Sequence, residues 1–171
     1  AAAIIINAPQ KDFNKNDAQK VIDYLQKGGK AIIVGMHSET EMPNFASILD
    51  TYGVSLTTGP IADNDAQHYY NMGGPLYLLP NVNSSSYTGS LSGGYVYLPI
   101  SLGINYPQNS TTDDTESTEE SKTTYTSLLD TSDDAVAKNN PNSMQDYGYE
   151  DGDDKGPFSV GLAVEDKVDD D

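Results

Sequence analysis

The chain contains no cysteine, no tryptophan and no arginine. Without Cys it can form no disulfide, no thiolate-ligated zinc site, no Cys nucleophile and no redox pair. Without Arg it lacks the planar bidentate clamp for phosphate and carboxylate, so an anionic ligand would depend on Lys, backbone amides or a bridging cation. Basic residues are scarce as well: 9 Lys stand against 26 acidic residues, for a formal net charge of −17. A surface this negative repels phosphate backbones, and no nucleic-acid partner is expected. No run approaches the roughly eighteen apolar residues of a membrane span, and no basic n-region of a signal peptide is present. There is no G-x-x-x-x-G-K-(S/T) loop, so the chain carries no Walker-type ATPase site.

What is present is a set of short apolar runs separated by long polar stretches. Hydrophobic residues make up 36% of the 171 positions, low for a domain of this length, and the deficit lies in Asp-, Ser-, Thr- and Asn-rich segments. Residues 107–122 contain no hydrophobic side chain, and 139–156 form a second, acidic excursion. Both are predicted to be solvated, mobile loops on a single α/β domain. Because the sequence opens inside one apparent strand and stops just after another, it is expected to be a fragment, truncated at both ends, of a longer protein.

The stretch from Ala3 to Gly35 has the clearest pattern. Ile4-Ile5-Ile6 reads as a fully buried β-branched strand of a parallel sheet. Asn16 or Asp17 is the expected cap of a helix with Ala18, Val21, Ile22 and Leu25 on one face, closed by Gly28-Gly29. Ala31-Ile32-Ile33-Val34 reads as a second buried strand, which gives a right-handed βαβ unit. Further on, a short helix is predicted from Pro43 to Tyr52, with strands at 54–56, 61–63, 76–79, 95–100 and 157–164. Thr131 to Asn139 reads as a short helix or turn.

Four segments, in order, resemble a known family. Ala8-Pro9 followed by Tyr24-Leu25, Gly28-Gly29 and Lys30 is similar to the "P…Y-L-x-x-G-G-(K/R)" opening of the gliding-motility (GldG-like) auxiliary domain of ABC transporters. Phe45, Ile48-Leu49 and Tyr52-Gly53-Val54 resemble its "F-x-x-I-L-x-x-Y-G-(V/I)" helix. Leu128-Leu129-Asp130-Thr131-Ser132 resembles its "L-L-x-T-S" segment, and Lys155-Gly156-Pro157-Phe158 its "K-G-P-F" strand. The resemblance implies an α/β three-layer domain with a mostly parallel sheet, flavodoxin-like or class I glutamine amidotransferase-like. It also implies an extracytoplasmic location, anchorage through flanking membrane spans, and work beside ABC permease and ATPase subunits as a non-catalytic component. Homo- or hetero-oligomerisation is left open.

Candidate chemistry is sparse. A glutamine amidotransferase-like enzyme needs a Cys nucleophile, and G-x-S-x-G is also absent. Asn7, Gly35, His37 and Ser38 follow the first two strands, where open α/β sheets bind ligands, and could line a polar crevice. The nearby helix amino terminus would favour an anion there. The ordinary alternative is loop chemistry without a ligand. No cofactor is expected. The one metal candidate is a weak calcium site built from Glu150, Asp151, Asp153 and Asp154, with Lys155 and Leu162 standing where an EF-hand loop needs ligands; a solvated acidic loop is the plainer reading. Tyr69, Tyr70, Tyr87, Tyr95, Tyr97 and Tyr106 suit protein contact or carbohydrate stacking, and equally suit half-buried strands. They keep open an alternative function, a carbohydrate-binding or degenerate hydrolase-like module.

Overall fold

The computed structural model describes residues 1–91, 93–108, 123–140 and 146–167. The βαβ unit forms as its pattern requires: β1 (Ile4–Asn7), α1 (Lys15–Gln26) and β2 (Ala31–Val34), with Ile4 to Asn7 paired in parallel to Ala31 to Val34. The cap of α1 is Asn14 rather than Asn16 or Asp17: its side chain accepts from the Asp17 amide at 2.9 Å, the three-residue reach that an N-cap needs. Gly28, at φ 79, takes the left-handed turn that ends the helix. The second helix, α2, spans Pro43–Asp50. Ile6, Ala18, Phe45 and Ile48 form a buried cluster, with Val21, Ile22, Leu25 and Ile33 packed against it.

The two parallel strands are not fully buried. Ile5 is 70% and Ile32 61% exposed, and Val34 is open too, while Ile6 is covered by the helices. Successive side chains of a strand point to opposite faces, and α1 and α2 cover only one of them.

The main sheet corrects the expectation of a mostly parallel, three-layer fold. It comprises β3 (Ser55–Asp63), β5 (Asn81–Val82), β7 (Leu102–Asn105), β8 (Thr123–Asp130), β9 (Ala135–Ala137), β10 (Asp154–Lys155) and β11 (Ser159–Asp166). The order is β10-β9-β3-β7-β11-β8-β5, and every pairing in it is antiparallel. A parallel crossover needs a connection of about a dozen residues, usually a helix. After α2 the described residues contain no α-helix, only a single 3-10 turn at Gly89–Leu91. The domain is therefore α/β with one parallel pair and a dominant antiparallel sheet. A separate ribbon pairs β4 (Tyr77–Leu78) with β6 (Leu98–Pro99).

Two strands predicted at 54–56 and 61–63 are one, β3, with an irregular register between Leu56 and Pro60. Ala135–Ala137, read as part of a helix or turn, is a strand because it pairs along Ile61 to Asp63. Gly59 makes that approach feasible, since a Cβ there would run into the Lys138 carbonyl. Ile61, Leu78, Ala135, Ala137 and Phe158 form the second core. Of the predicted polar loops, 109–122 and 141–145 lie outside the described residues.

Candidate functional site

The predicted crevice after β1 and β2 is built from residues that are already engaged locally. Asn7 pairs with Val34, and a Cβ on Gly35 would meet the Leu56 side chain. The His37 ring nitrogen Nδ1 lies 3.2 Å from the Thr58 carbonyl, and the Ser38 hydroxyl donates to the Thr40 carbonyl at 2.9 Å. Ala8, with φ 45, holds the strained left-handed turn after Asn7.

An anion supplied by the chain itself sits at the amino terminus of α2, a different helix from α1, whose amino terminus was expected to favour an anion. The Asp12 carboxylate, in the loop after β1, accepts from the amides of Asn44 (3.1 Å) and Phe45 (2.9 Å) at the start of α2 and from the Asn44 side chain at 2.8 Å. Desolvation works against its charge, but these donors prevail and hold the carboxyl below its ordinary range. Asp12 thus ties the β1 loop to α2. Its spacing of 32 residues from Asn44 left no sequence signal.

The acidic segment is organised around a cation of its own. Lys138, immediately after β9, is 1% exposed, and its Nζ donates to the Gly148 carbonyl (2.7 Å), Glu150 Oε2 (3.2 Å) and Asp153 Oδ2 (2.6 Å). Asp153 also accepts from the amides of Asn139 (3.1 Å) and Glu150 (3.0 Å). Asp154 accepts from the Asn139 side chain at 2.9 Å. Two of the four proposed calcium ligands, Glu150 and Asp153, therefore converge on an ammonium group. Asp154 turns to Asn139, and among the described residues no cluster of three or more His, Asp or Glu is arranged to hold a metal. Burial opposes charge on both Lys138 and Asp153, yet their mutual contacts outweigh it, raising the Lys pKa and lowering the Asp pKa.

Two polar clefts lie on the antiparallel half. One, of about 450 Å³, is lined by Asp65, His68, Asn81 and residues Thr131 to Asp134. His68 contacts Asp65 Oδ2 through Nδ1 (3.0 Å) and Asn81 Oδ1 through Nε2 (3.2 Å). The Gln67 amide, joined by His68, holds Asp65 below its ordinary pKa against the opposing effect of burial. The Ser132 hydroxyl donates instead to buried Asp63 at 2.5 Å, so the cleft contains no His–Ser pair. The other, of about 490 Å³, runs past Tyr106, Asp130, Phe158 and Ser159. Asp130 there accepts from Asn83 (2.6 Å) and Ser127 (2.5 Å). Asn7, Gly35, His37 and Ser38 line neither cleft.

An apolar face is also left uncovered. Ile5, Ile32 and Val34 occupy the uncovered face of β1–β2, with Ile5 paired directly to Ile32 and exposed Met36 just beyond Val34. A second exposed group is aromatic: Tyr97 packs edge-on to Tyr70 at 6.0 Å and stacks on Tyr77 at 6.1 Å, beside the 90% exposed Tyr95. The exposed apolar face was not legible in an unbroken Ile-Ile-Ile run, which reads alike whether one face or two are buried.

No family model matches the chain, and no curated protein matches it. Among solved structures it is similar to one described as "mmIFT52 N-terminal domain", with 12% sequence identity and a TM-score of 0.51. The match covers 77% of this chain and 54% of that one, so this chain spans about half the length of that structure. At this identity the likeness shows the fold alone. Among the described residues no helix is long and apolar enough to cross a membrane.

Proposed function

We propose that the chain is a non-catalytic binding domain of a bacterial ABC-type transport system, working outside the membrane and docking a protein subunit such as the permease. The observation that carries this reading is the uncovered apolar face of Ile5, Ile32 and Val34. Parallel strands are almost always covered on both faces, and contiguous exposed apolar surface marks an interaction site. The four segments that resemble the GldG-like auxiliary domain support the transport context. Among the described residues the histidine rings contact the Thr58 carbonyl, Asp65 and Asn81. The test is capture of the purified permease of the same transport system by the wild-type chain and by Ile5→Asp/Ile32→Asp. A loss of at least about tenfold in affinity, the effect of about 1.4 kcal/mol, is expected for the variant. Equal capture by both overturns the docking role.

The alternative, a carbohydrate-binding module, is favoured by the Tyr70, Tyr77 and Tyr97 cluster, whose rings are available for stacking. A thermal-shift series with neutral oligosaccharides separates the two readings. Sugar-dependent stabilisation abolished by Tyr97→Ala supports this alternative, and no shift at saturating sugar removes it.

A further inference from the structure

Lys138 and Asp153 form a buried amine–carboxyl pair that neither the docking face nor the clefts use. Lys138 continues β9 into the core, where its amide donates to the Pro60 carbonyl at 2.9 Å and its side chain is fully shielded. The Asp153 side chain is 1% exposed. A donor 2.6 Å from Asp153 Oδ2 lies within roughly 3–3.5 Å of the carboxyl carbon, the range from which a bond can form. The Asn139 amide donates to the other oxygen, Oδ1, at 3.1 Å, where negative charge would develop during attack. Glu150 Oε2, 3.2 Å from the same Nζ and 41% exposed, is within reach of a proton on that nitrogen.

We propose that Lys138 and Asp153 condense into an intramolecular isopeptide bond, with Glu150 as the proton carrier. The reaction starts from the ion pair. The ammonium passes one proton to Asp153 Oδ2 across the 2.6 Å contact, giving a neutral amine beside a carboxylic acid. The amine lone pair attacks Cγ, and the Asn139 amide stabilises the charge on Oδ1. Glu150 takes the second proton from nitrogen and delivers it to the hydroxyl at Oδ2. The C–Oδ2 bond breaks, one water leaves, and a secondary amide with one N–H remains. No oxidant, metal or external reactant enters. In a chain without cysteine, such a bond would close the segment 138–153 covalently, which no disulfide here can do.

Intact-mass spectrometry of the 171-residue chain under denaturing conditions tests this. The expected wild-type mass is below the sequence mass by one water, about 18 Da, with a branched peptide joining Lys138 to Asp153 after digestion. Lys138→Arg is expected at its full sequence mass. Asp153→Asn, which would release ammonia instead, is expected to fall about 17 Da short. A wild-type chain at full mass overturns the proposal. So does a deficit of one water that persists in Lys138→Arg, because Asp151-Gly152 can lose the same water by cyclising to a succinimide. A Glu150→Gln chain that cross-links as completely as wild type contradicts the proton-transfer role given to Glu150.

Discussion

The β1–α1–β2 unit with α2 and the seven-stranded sheet solve the problem of cohesion differently. In the first, buried Ile6, Ala18, Phe45 and Ile48 supply the contacts, and the polar tie that joins the β1 loop to α2 is Asp12. In the second, the apolar core around Ile61 and Phe158 is supplemented by buried polar groups: Asp63 on Ser132, Lys138 on Asp153, and the Thr57 hydroxyl bridging Gly59 and Gly103. The parallel unit buries one face and leaves the other open. The antiparallel sheet is reinforced by buried polar groups, which an antiparallel layer tolerates because it does not need two apolar faces. The open surface is therefore on the half whose cohesion is simplest.

The largest effect is expected in the antiparallel half. Lys138→Met removes both the buried ion pair and the bond proposed to form from it, leaving the Asp153 carboxylate buried without its cation, and urea denaturation should show a loss of about 3–5 kcal/mol. In the parallel half, Ile48→Ala removes a fully buried side chain that touches both helices' core, at an expected cost of about 2–5 kcal/mol by the same measurement. If Ile48→Ala proved nearly neutral, the parallel unit would not share the cooperative core of the domain.

A smaller, pH-dependent effect is expected at Asp12. Its carboxyl is held below its ordinary value when folded, so the stabilisation is present above the unfolded value and lost as pH falls through the lower folded one. Asp12→Asn should lower the thermal midpoint at neutral pH and reduce the difference between neutral and acid midpoints. An unchanged acid dependence in the variant would remove Asp12 as a helix-capping group. The smallest stability change, within about 0.5 kcal/mol, is expected for Ile5→Ser and Ile32→Ser, because neither side chain is in a core.

The same contrast explains what the amino-acid sequence disclosed. Ala3 to Gly35 was readable as strand, helix and strand because helical spacing and a Gly-Gly stop are local signals. Even there the cap fell two residues early, at Asn14, and the strand faces were not distinguishable. The antiparallel arrangement was not readable, since the pairing of Ala135–Ala137 with Ile61 to Asp63 depends on contacts more than 70 residues apart. Of the crevice residues, Asn7 closes β1 and Gly35, His37 and Ser38 follow β2, and the His37 and Ser38 side chains contact the backbone carbonyls of Thr58 and Thr40. The acidic run at 150–154 gave no hint that a lysine twelve residues earlier fills its centre, because a lone Lys after Ala-Val-Ala looks like any strand end.

The most direct measurement is amide hydrogen exchange across residues 4–7 and 31–36 in the chain alone and with the purified permease of the transport system proposed for it. Docking on the open face is expected to slow exchange in both segments by at least about tenfold, and Ile5→Asp/Ile32→Asp should abolish that slowing. Unchanged exchange in these segments under conditions where the permease is demonstrably bound would contradict the assignment of the β1–β2 face as the docking surface.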